Sequence, residues 1–143
     1  MPESGGEMSK SENELRTALV VDDEAPIRGL LEDILDDAGF TTTSFALGGP
    51  ALQELAKHSF DLLIIDIGLP DMNGLSICEE ARARYGSDVV ILIITADSRK
   101  ERCIMALEMG ADDFVGKPFD IEELLIRIDV KLRRTARSNG NTY

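Results

Sequence analysis

The stretch Phe60–Gly74, FDLLIIDIGLPDMNG, decides the fold. Leu62 to Ile65 make a short apolar run suited to a strand buried on both faces, and the run stops abruptly at Asp66. Gly68, Pro70, Asp71, Asn73 and Gly74 then supply turn chemistry. Asp66 is therefore expected where a buried strand gives way to an ordered loop, a position that often carries chemistry. A lone aspartate there is better explained by strand termination, since Asp is a common turn former. The rest of the chain decides between the two.

Working outward, the same strand-then-helix unit recurs. Ala18 to Val21 read as a buried strand ending in Asp22, Asp23 and Glu24. Pro26 then suits the first turn of a helix with Ile27, Leu30, Leu31, Ile34, Leu35 and Ala38 on one face, closed by Gly39. Thr41 to Phe45 form a weaker, Thr-rich strand fit for a sheet edge, followed by a helix over Gly49–Lys57. A third helix is expected over Leu75–Arg84. The most apolar strand, Val89–Ile94, is closed by Thr95. A helix over Ser98–Met109 stops at Gly110. Asp113–Gly116 form a short strand leading to Lys117 and Pro118, and a last helix spans Ile121–Arg134 with Ile121, Leu124, Leu125, Ile128 and Leu132 facing inward. Residues 1–15 read as a disordered leader, 16–136 as one domain, and 137–143 as a flexible tail or the start of a linker. Strands alternating with helices predict an α/β fold, a doubly wound five-stranded parallel sheet with helices on both faces. In the flavodoxin-like order 2-1-3-4-5, the ligand crevice lies at the carboxyl ends of strands one and three.

Composition narrows the function classes. At 143 residues the chain suits one domain, and 43% hydrophobic with 29% charged residues describes a soluble globular protein. No apolar run approaches the ~20 residues of a membrane span and no signal-peptide segment is present, so a cytoplasmic protein without membrane contact is expected. A net charge of −12 argues against direct nucleic-acid binding, which needs clustered cations. The one basic cluster, Lys131, Arg133, Arg134 and Arg137, is read as complementing a helix C-terminus. Cys78 and Cys103 lack metal-type spacing and are read as buried free thiols. His58, the only histidine, is read as an exposed helix end.

The polar residues at the strand ends carry the functional reading: Asp22 and Asp23 after strand one, Asp66 after strand three, Thr95 after strand four and Lys117 after strand five. Topology gathers them in one crevice although they are far apart in sequence. Adjacent strands lie ~4.8 Å apart, and two carboxylates about 4 Å apart repel by roughly 4 kcal/mol at an effective dielectric of 20. Such a cleft calls for a cation, and hard oxygens with water access suit Mg²⁺. Asp23 and Asp66 are the expected direct ligands, with the Gly68 carbonyl as a third and Asp22 acting through water. Lys117 and the Thr95 hydroxyl are placed to receive phosphoryl oxygens. Together these residues suit phosphorylation of Asp66, which would attack phosphorus and become an acyl phosphate.

Through VVDDEAPIR, LLIIDIGLPDMNG, ILIITA and GADDFVGKPF, the chain from Thr17 to Arg134 resembles the receiver domain of two-component response regulators. The resemblance implies that Asp66 is the phosphoacceptor, Asp22 and Asp23 the acidic pair, Thr95 the switch hydroxyl and Lys117 the phosphate-contacting lysine. Phe114 matches an aromatic whose rotation accompanies the movement of Thr95, and Lys117–Pro118 matches a commonly cis peptide. It further implies a histidine kinase or phosphotransfer protein as donor, a downstream effector domain or protein, and a two-state face built from helix four, strand five and helix five, through which some relatives form homodimers. That face carries Arg102, Asp112, Asp113, Glu123, Arg127 and Lys131, with Asp113 and Arg127 as a pair. Cys103 stands where the dimerising, DNA-binding subfamily usually has arginine, which leaves a solvated charged face as the alternative. Gly68 and Asp97 match positions that influence acyl-phosphate hydrolysis, Asp97 by orienting water.

A phosphoacceptor with at most self-phosphorylation and self-dephosphorylation is therefore expected, not an enzyme with a separate substrate. Two other readings stand beside it. One is a Mg²⁺-dependent phosphohydrolase with an Asp nucleophile, but such enzymes place the nucleophile in a D-x-D motif after the first strand, where this chain has adjacent acids. The other is a degenerate receiver acting only as a binding module, against which the presence of all five polar positions weighs.

Overall fold

A computed structural model describes residues 16–140. The expected leader, residues 1–15, and the tail positions 141–143 lie outside the described residues. Five strands, β1 (Thr17–Val21), β2 (Thr41–Phe45), β3 (Leu62–Asp66), β4 (Val90–Thr95) and β5 (Asp113–Gly116), alternate with five helices, α1 (Ala25–Asp37), α2 (Gly48–Lys57), α3 (Gly74–Tyr85), α4 (Lys100–Glu108) and α5 (Ile121–Gly140). All strand pairs are parallel, in the order β2-β1-β3-β4-β5. This is the expected doubly wound sheet, with β2 at one edge.

Side-chain alternation along each strand sorts the core into two layers. Leu19, Val21, Leu63, Ile65, Ile91 and Ile93 pack under α2, α3 and α4, against Leu55, Ile77, Cys78 and Ala106. Ala18, Val20, Leu62, Ile64, Leu92 and Val115 pack on the opposite face against Leu31 and Leu35 of α1 and Leu124, Ile128 and Leu132 of α5. Burial on both faces explains why β3 and β4 are continuously apolar.

Register positions the strand ends. Val21 pairs with Ile65, so Asp22 and Asp66 stand one step further at the same level, while Thr95 pairs with Gly116 and places Lys117 just beyond. Asp22, Asp66 and Lys117 continue the alternation of Val20, Ile64 and Val115, whereas Thr95 continues that of Ile93, on the other face.

The loops are tied by specific contacts. Asn73 caps α3 by accepting the Leu75 N–H at 2.8 Å, and the Asp71 carboxylate accepts the Gly48 and Gly49 N–H groups at 2.9 and 2.8 Å, capping α2 from a distant loop. Gly74 donates to the Ile67 carbonyl at 2.8 Å and lies so close to β3 that an added Cβ would fall 2.1 Å from the Asp66 carbonyl oxygen. Arg82 joins the end of α3 to the α4–β5 loop through the Gly110 carbonyl and Asp112, whose carboxylate also accepts the Ile91 N–H at 2.7 Å.

Several boundaries differ from expectation. β4 includes Thr95, and α4 starts at Lys100 rather than Ser98, because Arg99 is extended and its side chain turns back onto Asp97. Helix α5 continues to Gly140, past the expected end at Arg134, so Lys131, Arg133 and Arg134 lie within the helix and not in its last turn. Arg133 is paired with Asp129 at 3.1 Å. Cys78 is buried as expected and burial pushes its thiol up to about 11, but Cys103 is only half-buried on α4. His58 ends α2, exposed, 3.5 Å from Glu54.

Candidate functional site

The β1–α1 turn presents Asp22, fully buried, and Asp23, exposed, beside Asp66 at the end of β3. Each of the three offers a carboxylate oxygen within 4.8 Å of the others. The Asp22 backbone is held by Arg28 of α1, whose guanidinium donates to the Asp22 carbonyl at 2.8 Å. Its carboxylate takes the Glu24 N–H on Oδ1 at 2.9 Å. Asp66 Oδ1 accepts the Gly68 N–H at 3.1 Å, which turns the other oxygen to the crevice.

Lys117 enters from the end of β5, after which Lys117–Pro118 is cis as expected. Its ammonium lies 2.7 Å from Glu24 Oε1, 2.8 Å from Asp22 Oδ2 and 3.0 Å from Asp66 Oδ2. The contacts to Glu24 and Asp66 are hydrogen bonds. The Asp22 contact is an ion pair without hydrogen-bond alignment, so Asp22 Oδ2 is buried with no hydrogen-bond donor. Burial would depress the ammonium, and the three carboxylates more than reverse that, holding Lys117 well above its ordinary value. For Asp22 burial prevails: it pushes the carboxyl up, only partly opposed by Lys117 and the Glu24 N–H, and the Asp66 charge adds to the rise.

Of the expected residues, Asp22, Asp23, Asp66 and Lys117 converge, with Gly68 adjoining. Thr95 is buried nearby, but its hydroxyl accepts the Asp97 N–H at 3.2 Å, and among the described residues no hydrogen bond joins it to Asp66. Asp97 is turned away to Arg99, at 2.8 Å, and Arg102, at 3.2 Å, and Arg99 foremost holds its carboxyl well below the usual range. Phe114 is partly buried against the core. A cleft of about 490 Å³ lies between the loop after β3 and the end of β4, lined by Gly68, Leu69, Met72, Thr95, Asp97 and Arg102 among others but by none of Asp22, Asp23, Asp66 and Lys117. Sequence reasoning missed Glu24, Arg28 and Gly74 as site residues. The third acid of the D-D-E run was the one visible signal for Glu24.

The donor set fits a hard divalent cation: three carboxylates from two adjacent loops, with Asp22 buried beside the Lys117 ammonium and Asp23 exposed to water. In total the arrangement pairs a cation site with a fixed ammonium around one buried, strand-end carboxylate.

Residues 18–129 match the model of the response regulator receiver domain family. Among curated proteins, the chain is 42% identical over 120 residues to the transcriptional regulatory protein GltR of Pseudomonas aeruginosa, covering 83% of this chain and 50% of that one. The chain spans about half the length of the curated relatives it matches. Among solved structures it is similar to a CheY-like receiver domain protein of Methanospirillum hungatei, at 29% identity and a TM-score of 0.82, covering 87% of this chain and 98% of that one. It is also similar to the BeF3-activated N-terminal receiver domain of Klebsiella pneumoniae RstA, at 26% identity and a TM-score of 0.76, covering 82% and 99%. The sheet order, the convergence of strand-end acids and lysine, and these matches have one meaning: the chain belongs to the receiver domain family of two-component response regulators.

Proposed function

We propose that Asp66 accepts a phosphoryl group from a phosphohistidine on a histidine kinase or phosphotransfer protein, and that the domain passes this state to an effector domain or protein. The observation that carries the reading is the Lys117 ammonium bridging Asp66 and Asp22 beside Asp23. Asp66 Oδ2 attacks phosphorus as the N–P bond to histidine breaks, and the imidazole leaves with the electron pair and takes a proton from solvent. Gly68 holds Oδ1 through its N–H, so a single oxygen faces the incoming group. Lys117 neutralises the transferring oxygens and Thr95 approaches them in the phosphorylated state, giving up the Asp97 N–H. Asp23 and Asp66 directly, the Gly68 carbonyl, and Asp22 through water would hold Mg²⁺, which when bound supplies electrostatic stabilisation of the transferring group.

The output face is assigned to α4, β5 and α5, as the basis of switching and of a homodimer. Exposed Ile104, Met105 and Leu107 on α4 and Ile126 on α5 support it. Arg127 there is paired within its own chain, to Asp113 at 3.0 Å and Glu123 at 2.9 Å, so a dimer would have to exchange or share those contacts. Among the described residues no helix is long and apolar enough to cross a membrane, in keeping with a domain that works in the cytoplasm.

Exposure to acetyl phosphate with Mg²⁺, followed by intact mass measurement, tests the reading. The expected result is one added phosphoryl group in the wild type and none in Asp66→Asn. Turnover of phosphate esters without stable acylation would favour the phosphohydrolase, and a folded protein that stays unmodified would leave only a binding module.

A further inference from the structure

Lys117 has three N–H donors and three carboxylate neighbours: Glu24 at 2.7 Å, Asp22 at 2.8 Å and Asp66 at 3.0 Å. A phosphoryl group formed on Asp66 Oδ2, the oxygen that accepts the Lys117 hydrogen bond, puts several anionic oxygens in place of that one acceptor, and these compete with Glu24 and Asp22 for the ammonium. The three partners differ in what their release costs. The side chains of Asp22 and Asp66 are 0% and 9% exposed, whereas that of Glu24 is 57% exposed. Water resolvates an exposed carboxylate at little cost, while an abandoned buried one keeps its desolvation penalty. Glu24 also reaches Lys117 from a different place than the other two. It precedes α1 as the N-cap residue, its side chain makes no capping bond, and its backbone is fixed instead by the Asp22 carboxylate. The side chain is thus free of any local duty and is spent on the ammonium.

We infer that Glu24 is an internal placeholder for the phosphoryl group: it occupies Lys117 in the resting state and competes with phosphoryl oxygens for the same donor. The inference rests on the phosphoacceptor reading and adds to it a residue that sets how readily the site takes up its anion. Glu24 swings to solvent as Lys117 turns to phosphoryl oxygen, the Asp66 contact passes to the group formed on Oδ2, and Asp22 stays where burial keeps it. Competition by an exposed ion pair is worth little per molecule, so the effect is one of tuning. It should weaken as salt screens the Glu24–Lys117 attraction.

Beryllofluoride, a phosphoryl mimic, is titrated at saturating Mg²⁺ into wild type, Glu24→Gln and Glu24→Ala, with Mg²⁺ affinity measured separately because removing an acid near the cation site alters it. Both variants are expected to bind beryllofluoride about two- to five-fold more tightly than wild type, with an unchanged melting temperature, and the gain should shrink at high ionic strength. A purely structural role for Glu24 would move the melting temperature and not the salt dependence. Variants that bind with wild-type affinity, or more weakly, at saturating Mg²⁺ would overturn the inference while leaving the phosphoacceptor reading intact. A folded wild type that neither binds beryllofluoride nor becomes acylated would overturn both.

Discussion

Replacing Gly74 by alanine separates the position of the proposed phosphoacceptor from its chemistry, because the substitution adds a methyl group and removes no polar group. Gly74 opens α3 where its backbone passes directly over the end of β3. A Cβ built there would lie 2.1 Å from the Asp66 carbonyl oxygen, 2.9 Å from the Asp66 carbonyl carbon and 3.0 Å from Ile65 Cγ2. Two of these neighbours are backbone in a fully buried strand, so relief requires α3 and β3 to part by about 1 Å. Overpacking of this kind costs about 1–3 kcal/mol. In a domain of this size that lowers the melting temperature by roughly 3–15 °C. The displaced residue is the proposed nucleophile, and a misplacement of about 1 Å can cost ~100-fold in rate. Melting followed by circular dichroism and acylation by acetyl phosphate, both with Mg²⁺, measure the two effects. Gly68→Ala is the control, since a Cβ there meets nothing within 4 Å and stability should change by no more than about 0.5 kcal/mol. Gly74→Ala with wild-type melting and wild-type acylation would refute the claim that the β3–α3 approach sets the position of Asp66.

Gly29 lies inside α1 with nothing within 4 Å of an added Cβ, so Gly29→Ala should stabilise by about 0.5–1 kcal/mol with acylation unchanged, checked by urea unfolding. The Asp71 carboxyl is held below its ordinary value by the Gly48 and Gly49 N–H groups, so its contribution is present above the unfolded value of 3.8 and lost as pH falls through the lower folded value. Asp71→Ala should therefore melt below wild type at neutral pH, and the gap should close on acidification through that window. Mg²⁺ at 100 times its dissociation constant should stabilise the wild type by about 2.7 kcal/mol, read as a shift in melting temperature. Asp23→Ala should lose most of that shift while its metal-free melting stays near wild type, because Asp23 is exposed.

The architecture could be read from the chain because each strand announces itself by an apolar run and each run ends in a polar residue or a turn. Sheet order and register then follow from connection rules and bring Asp22, Asp66 and Lys117 to one level. Period-two alternation goes one step further than the simple list of strand ends. It puts those three on the face shared with Val20, Ile64 and Val115, and puts Thr95 on the face of Ile93. That difference is why the lysine already touches Asp66 while the threonine hydroxyl serves Asp97 instead. What the chain alone could not convey was which of several available carboxylates a long side chain selects. Lys117 reaches Glu24, and Arg99 folds back to shorten α4 at its start, through rotamers that no hydrophobic period encodes. Gly74 was read as a turn glycine, yet no positive φ requires it there, and what does is the backbone of a strand met only in three dimensions. Patterning therefore determines where the polar strand-end groups stand, and rotamer-level pairing, Lys117 with Glu24 and Arg99 with Asp97, determines which of them are engaged.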